Sequence, residues 1–118
     1  MHNYRRLEVW RRARSVTTDV YRVTATFPKT ELFGLTAQMR HAGISIGANL
    51  AEGSGRASDQ DFARFISMAI GSASELEAET ILAGDLGMTD DDTAVALGRS
   101  IDEVRRMLNA LRRSLAKY

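Results

Sequence analysis

An all-α fold, an antiparallel up-down-up-down four-helix bundle, is what this sequence predicts, and three observations carry the prediction. Apolar residues recur at spacings of three and four in four separate segments, the period of a helix buried on one side. The single proline, Pro28, leaves long stretches free to be helical. No segment alternates apolar and polar residues as a half-buried strand does, and the breaks between segments are short, so neighbouring helices run antiparallel. A length of 118 residues suits one domain, residues 1–118, with one core.

The first helix is expected from about Leu7 to Thr26, with Val9, Ala13, Val16, Val20, Val23 and Phe27 on one side. Pro28 ends it, because the residue before a proline is pushed out of the helical region. The valines leave an extended conformation open for part of this segment, but the helical spacing is kept from end to end. The second helix is expected from about Leu35 to Glu52, with Leu35, Met39, Ala42, Ile46 and Leu50 inward and the glycines of EGSGR as its stop. Ser58 then reads as an N-cap with Asp61 three residues on, in the manner of a capping box. The third helix continues to about Leu86 through Phe62, Phe65, Ile66, Ala69, Ala73, Leu76, Thr80 and Ala83, and Gly87 stops it. Thr89 is placed to cap the fourth helix, and Asp90, Asp91 and Asp92 put negative charge where the helix dipole favours it. Ile101, Val104, Leu108, Leu111 and Leu115 carry a heptad-like rhythm beyond.

Composition narrows the function classes. The absence of cysteine rules out a disulfide framework and a thiolate metal site. The opening residues, MHNYRRLEVWRRAR, are charged throughout and do not resemble a signal peptide. No run of about 18 apolar residues exists, so no membrane span is expected. A cytoplasmic location is the expectation.

The stretch FPKTELFGLTAQMRHAGISIGANLAEGSGR, then S-x-x-D-F, then IGSASELE, resembles the small four-helix-bundle family encoded within intervening sequences of bacterial 23S ribosomal RNA genes. The resemblance covers Leu7 to about Leu115. Its specific parts are Phe27-Pro28, Gly34-Leu35, Gln38-x-Arg40, Asn49-x-Ala51-Glu52-Gly53, and Gly71-Ser72 followed by Glu75-Leu76. Asn49, Glu52, Gly53, Arg56 and Ser58 belong to its structural motif. Gly47 departs from it, standing where relatives often carry proline. The resemblance implies a four-helix bundle that assembles into a homopentameric ring, with no agreed catalytic residues. The accessory variability determinant of diversity-generating retroelements is similar in fold, and that branch implies binding to a reverse transcriptase and to nucleic acid.

Three stretches invite chemistry. GISIG, Gly43 to Gly47, fits the G-x-S-x-G pattern of a nucleophilic serine, but such an elbow needs a strand, a sharp turn and a helix. Only His2 and His41 could act as base, and no third orienting group is evident. Gly43, Gly47 and Ala51 instead form a small-residue edge that lets another backbone approach closely. GSGR, Gly53 to Arg56, could cradle a phosphate in its N–H groups, but it lacks the P-loop pattern and also reads as an ordinary turn. Glu52, Glu75 and Glu79 suggest a di-metal bundle, yet no Glu-x-x-His pair accompanies them. No cofactor or metal is therefore expected. An enzyme would have to use the junction around Glu52, Gly53, Ser54 and Arg56, in a deep pocket with convergent polar groups.

Charge is segregated. The formal net charge is +1, yet residues 1–29 carry seven Lys/Arg against two Asp/Glu, and residues 58–98 carry one Arg against nine Asp/Glu. The C-terminal residues 99–118 are basic again. Arg5, Arg6, Arg11 and Arg12, with Arg105, Arg106, Arg112 and Arg113, are the candidate contacts to RNA or DNA phosphates. The same arginines also suit a solvated face laced with surface ion pairs. Trp10 and Tyr21 on the first helix, and Met68, Leu82 and Leu86 on the third, fall off the main apolar stripes. They are the candidate oligomer interface. Trp10, beside Arg11 and Arg14, could alternatively stack on a base.

Overall fold

A computed structural model describing residues 1–116 shows how the four apolar stripes are buried. The helices are α1 (Glu8–Thr24), α2 (Leu35–Ser54), α3 (Asp59–Asp85) and α4 (Asp91–Leu115). Two 3-10 turns precede α1 and α2, at Tyr4–Arg6 and Lys29–Glu31. Cross-helix contacts fix the directions. Thr17 Oγ1 donates to Gly43 O at 2.9 Å while Arg40 Nε reaches back to Thr24 Oγ1, so α1 and α2 are antiparallel. Ser72 bonds Ser45, and Phe65 faces Gly53, which reverses α3 against α2. Arg105 meets Glu77, and Arg112 meets Ser67, which reverses α4 against α3. Arg12 pairs with Glu103 and closes α4 onto α1. The result is an up-down-up-down bundle with extents of 46 × 22 × 20 Å.

The expected stripes supply the core. Val9, Ala13, Val16 and Val20 of α1 meet Met39, Ala42, Ile46 and Leu50 of α2. Phe62, Ile66, Ala69, Ala73, Leu76 and Ala83 come from α3, and Leu97, Ile101, Val104 and Leu108 from α4. Each large side chain buried here contributes roughly 1.5–3 kcal/mol. Phe27 is also buried, and Leu111 and Leu115 are packed against the cluster only in part. Buried threonines return their hydroxyls to their own helices, as Thr24 does to Val20 O and Thr80 to Leu76 O. Among the described residues no helix is long and apolar enough to cross a membrane.

Three local details differ from the sequence expectations. Helix α2 continues past Glu52 to Ser54. Gly53 lies inside the helix, where its missing side chain makes room for α3: a Cβ there would sit 2.5 Å from Phe65 Cβ and 2.9 Å from the Phe62 ring. The cap of α4 is Asp90, not Thr89. Gly87 turns the chain at φ 71° and Met88 N–H returns to Ala83 O, so the first helical residue is Asp91 and the cap is the residue before it. Asp90 accepts the Thr93 N–H at 2.7 Å, and that bond holds its carboxyl below the usual carboxylate range. Ser58 caps α3 by accepting Asp61 N–H, but the Asp61 carboxylate turns to Arg64 at 2.9 Å and to Arg56 at 3.7 Å.

The small-residue edge of α2 faces α1, but the close backbone approach expected of it occurs only at Gly43, beside Thr17, whereas Gly47 meets the Trp10 side chain. A Cβ on Gly43 would meet Thr17 at 3.5 Å, and one on Gly47 would meet the Trp10 indole nitrogen at 3.4 Å, both close to ordinary contact. Gly53→Ala therefore overpacks the α2–α3 junction and is expected to lose about 2–3 kcal/mol of stability. Gly43→Ala is expected to change stability by less than about 1 kcal/mol, because helix propensity offsets the contact. Urea unfolding of both variants checks the pair, and equal losses would contradict this account.

Candidate nucleic-acid interface and the polar seam

Polar residues of α2 and α3 meet along one edge of their contact. Ser45 is half-buried; its Oγ accepts from Ser72 Oγ at 2.9 Å and from Asn49 Nδ2 at 3.1 Å. Asn49 Nδ2 also donates to Ser45 O. The serine sits in mid-helix between these partners, while His41 is exposed on the helix surface. The strand–turn–helix context of a nucleophile elbow is absent among the described residues. Two turns along α3, Glu79 has one carboxylate oxygen shut away from water with no hydrogen-bond partner. Burial, with repulsion from Glu75 one turn away, pushes its pKa up to about 7.

The α2–α3 junction is packed around Ser54 and Gly53, and beside it an open hollow of about 680 Å³, lined by Ser58, Asp61, Arg64 and Ser67 among others, lies along the start of α3. Ser54 is buried and its hydroxyl donates to Ala51 O. Glu52 pairs with Arg56 at 3.0 Å, and the Arg56 guanidinium lies over the Phe65 ring at 4.7 Å. The N-terminal residues cover the rest: His2 N–H donates to Ser54 O, its ring lies 4.9 Å from Phe62, and its Nε2 bonds Asp59 Oδ1. Thus the family-motif residues Asn49, Glu52, Gly53, Arg56 and Ser58 hold helix ends and packing. Among the described residues no cluster of three or more His, Asp or Glu side chains has metal-binding geometry.

The candidate phosphate-binding arginines divide along the bundle axis. Antiparallel packing places the start of α1 beside the end of α4, so Arg5, Arg6 and Arg11 share an end with Arg112 and Arg113, while Arg12, Arg105 and Arg106 lie nearer mid-bundle, where Glu103, Glu77 and Asp102 meet them. Arg56 and Arg64 join the end that holds Arg112 and Arg113. The opposite end gathers Asp85 and Asp90 to Asp92. The arginines are not equivalent. Arg12 is held by Glu103 at 2.6 Å, and Arg105 lies between Glu77 and Asp102. Those two carboxylates raise the Arg105 pKa further. Arg106 shares Asp102, and Arg112 bonds Ser67 and Asn109. Arg5, Arg6, Arg11 and Arg113 are exposed and pair with no carboxylate among the described residues.

The off-stripe apolar residues divide in two. Met68, Leu82 and Leu86 are exposed on α3, joined by Ile81. Tyr21 is 41% exposed, with the Arg40 guanidinium 4.5 Å above its ring. Trp10 differs: it is half-buried, with Tyr4 edge-on to it at 4.9 Å and Arg14 5.9 Å over its ring. Sequence placed Arg14 beside Trp10 in the base-stacking alternative but did not single out Arg22, although Arg11, Arg14, Thr18 and Arg22 keep helical spacing and line one shallow hollow. The place of Tyr4 beside Trp10 left no periodic signal, because it precedes the helix.

Glu79 makes the seam sensitive to pH. Its folded pKa lies above its unfolded value, so the folded state holds a proton that the unfolded state has released. Stability is therefore expected to fall as pH rises from about 4.5 to about 7 and then level off. Glu79→Gln should remove that slope and stabilise the protein at pH 8 by about 1 kcal/mol, solvent screening limiting the gain. Denaturant midpoints across this pH range provide the check. Ser45→Ala, by contrast, is expected to change stability by only about 1 kcal/mol, because the two bonds its Oγ accepts are partly exposed and Asn49 keeps its bond to the Ser45 carbonyl.

A sequence profile for the 23S rRNA-intervening sequence protein family matches residues 5–110. No curated protein matches the chain. Among solved structures, the chain is similar to a protein of unknown function from the S23 ribosomal protein family of Bacteroides thetaiotaomicron VPI-5482. That similarity has a TM-score of 0.78 at 20% identity and covers 86% of this chain and 95% of the other, which establishes a shared fold. A match over residues 5–110, together with the four-helix architecture, identifies this chain as a member of the 23S rRNA-intervening sequence protein family.

Proposed function

We propose that this protein is a self-associating, non-enzymatic bundle whose basic end holds RNA or DNA by its phosphates. The observation that carries the reading is the segregation of charge along the bundle axis. Arg5, Arg6 and Arg11 project from the basic end without carboxylate partners among the described residues, and Arg112 and Arg113 approach from the end of α4. A net charge of +1 would give weak attraction if it were spread evenly. Concentrated at one end, the same charges make a local field that attracts polyanions. Such contact is sequence-independent and salt-dependent, because each neutralised phosphate releases counterions. Arg12, Arg105 and Arg106 contribute less, since their carboxylate partners would have to be displaced.

Self-association rests on the exposed apolar residues of α3. Met68, Leu82 and Leu86 stand 42%, 47% and 58% exposed along that helix. A second copy would bury them, with Tyr21 joining the contact, and a ring of five is the assembly that the family resemblance implies. A ring would multiply the basic end by symmetry. Light scattering at micromolar concentration tests the assembly: a monomer would end that part of the reading. Leu82→Glu is expected to shift the protein toward monomer without loss of helical content.

Titration of single-stranded RNA and duplex DNA at two salt concentrations tests the contact. Affinity should fall steeply with salt. Arg5→Gln with Arg11→Gln should lower the slope of log affinity against log salt by roughly 0.7–0.9 for each phosphate no longer neutralised. Absence of binding at low salt, or binding indifferent to salt, would reject it.

A further inference from the structure

An open groove of about 370 Å³ runs along the outer contact of α1 and α2. Its lining includes Tyr4, Trp10, Arg14, Ile44, Ala48 and Ala51, and contains no carboxylate. Trp10 is the only tryptophan of the chain. Its ring is held in place rather than loose: Tyr4 packs edge-on, Arg14 lies over it, and Gly47 leaves room for the indole edge. Tyr4 in turn lies under the Arg5 guanidinium, at 5.8 Å. Ile44 is 48% exposed and gives the groove an apolar wall. Through Arg14 and Thr18 the groove is continuous with a second hollow, lined by Arg11, Arg14, Ser15, Thr18, Asp19 and Arg22. The single carboxylate there, Asp19, is paired with Arg22 at 3.3 Å. Arg11 and Arg22 are eleven positions apart on one helix, about 16 Å along its axis.

A planar apolar surface beside a track of cations matches one ligand chemistry, a base joined to phosphates. Duplex DNA keeps its bases stacked inside and offers them no access to such a groove. We infer that the α1–α2 groove is a stacking site for an unpaired base of single-stranded nucleic acid, with Arg11 and Arg14 following the adjoining phosphates. Charge complementarity selects this occupant over an apolar protein surface: Arg11 and Arg14 pair with no carboxylate among the described residues, and Asp19 in the extension is taken by Arg22. The inference rests on the nucleic-acid reading above and specifies which form is held and where.

The lone tryptophan supplies the readout. The intact protein is titrated with a single strand of about a dozen nucleotides, within the usual footprint of such sites. A duplex of equal length is titrated in parallel. The single strand should quench Trp10 emission and the duplex should not. Trp10→Ala should weaken single-strand binding by roughly 5-fold to 100-fold, the range of one base stacked on an aromatic ring. Ala48→Glu, a change at an exposed position that keeps the core intact, should weaken it comparably, and both variants should bind duplex within about twofold of the parent. Arg14→Gln should weaken binding and also reduce its salt dependence.

Three results would overturn the inference. Salt-dependent binding with unchanged Trp10 emission and an unaffected Ala48→Glu variant would leave the basic end as a phosphate contact but remove the base site. Emission that shifts with protein concentration alone would show the groove covered by a second copy. Failure to bind either nucleic acid would remove both this site and the broader reading.

Discussion

The approach of Phe65 to Gly53 sets the geometry on which the rest of the molecule depends. The space a side chain would fill on α2 is occupied by two phenylalanines of α3, so the helices can close at the junction. That closure brings Ser54 O, at the end of α2, within reach of the His2 N–H, and puts Asp59 beside the His2 ring. The N-terminal segment is thereby laid across the bundle end, and Asn3 then starts the 3-10 turn that carries Tyr4 and Arg5. That turn brings Tyr4 against Trp10. A close packing contact between two helices thus determines the shape of a surface on another side of the bundle.

Electrostatics follows from topology in the same way. Sequence segments of opposite sign alternate along the chain, and the reversal of each helix sorts them by end. The start of α1 and the end of α4 come together, and so do the end of α3 and the start of α4. Within each end the outcome depends on register. Arg105 faces Glu77 across the α3–α4 contact and becomes part of the bundle, whereas Arg113, eight residues later, stays exposed. Surface pairs of this kind contribute little to stability, roughly 0–1 kcal/mol each. Their larger effect is to decide which cations remain free to meet a ligand.

Much of the architecture was legible because burial imposes a period. Val9 to Val20, Met39 to Leu50, Phe62 to Ala83 and Ile101 to Leu108 are inward in the structure as their spacing required. Caps were legible where one residue alone could serve, as at Ser58. At α4 the expected cap, Thr89, gives way to Asp90, because the outcome turns on how many residues the Gly87 turn consumes. Gly53 carried an ambiguous signal, since glycine marks turns and close packing alike. The candidate site was less legible. Net charge by segment located the basic end, but pairing of Arg12 and Arg105 depends on partners 91 and 28 residues away in the chain. Tyr4 lies outside every helix, so no periodicity could place it beside Trp10.

The contact of His2 with residues near Asp59 also bears on the order in which the molecule forms. It closes a span of 57 residues, whereas α2 and α3 are joined by a connection of four residues, from Gly55 to Ser58. Loop-closure entropy favours the short connection, so the α2–α3 hairpin has an advantage in assembling first. The N-terminal segment has no surface to dock on until that hairpin exists. Loop-closure entropy thus favours adding Tyr4 to the aromatic groove after the hairpin, and local opening at the N-terminus would withdraw Tyr4 while leaving Trp10 and the four-helix core in place.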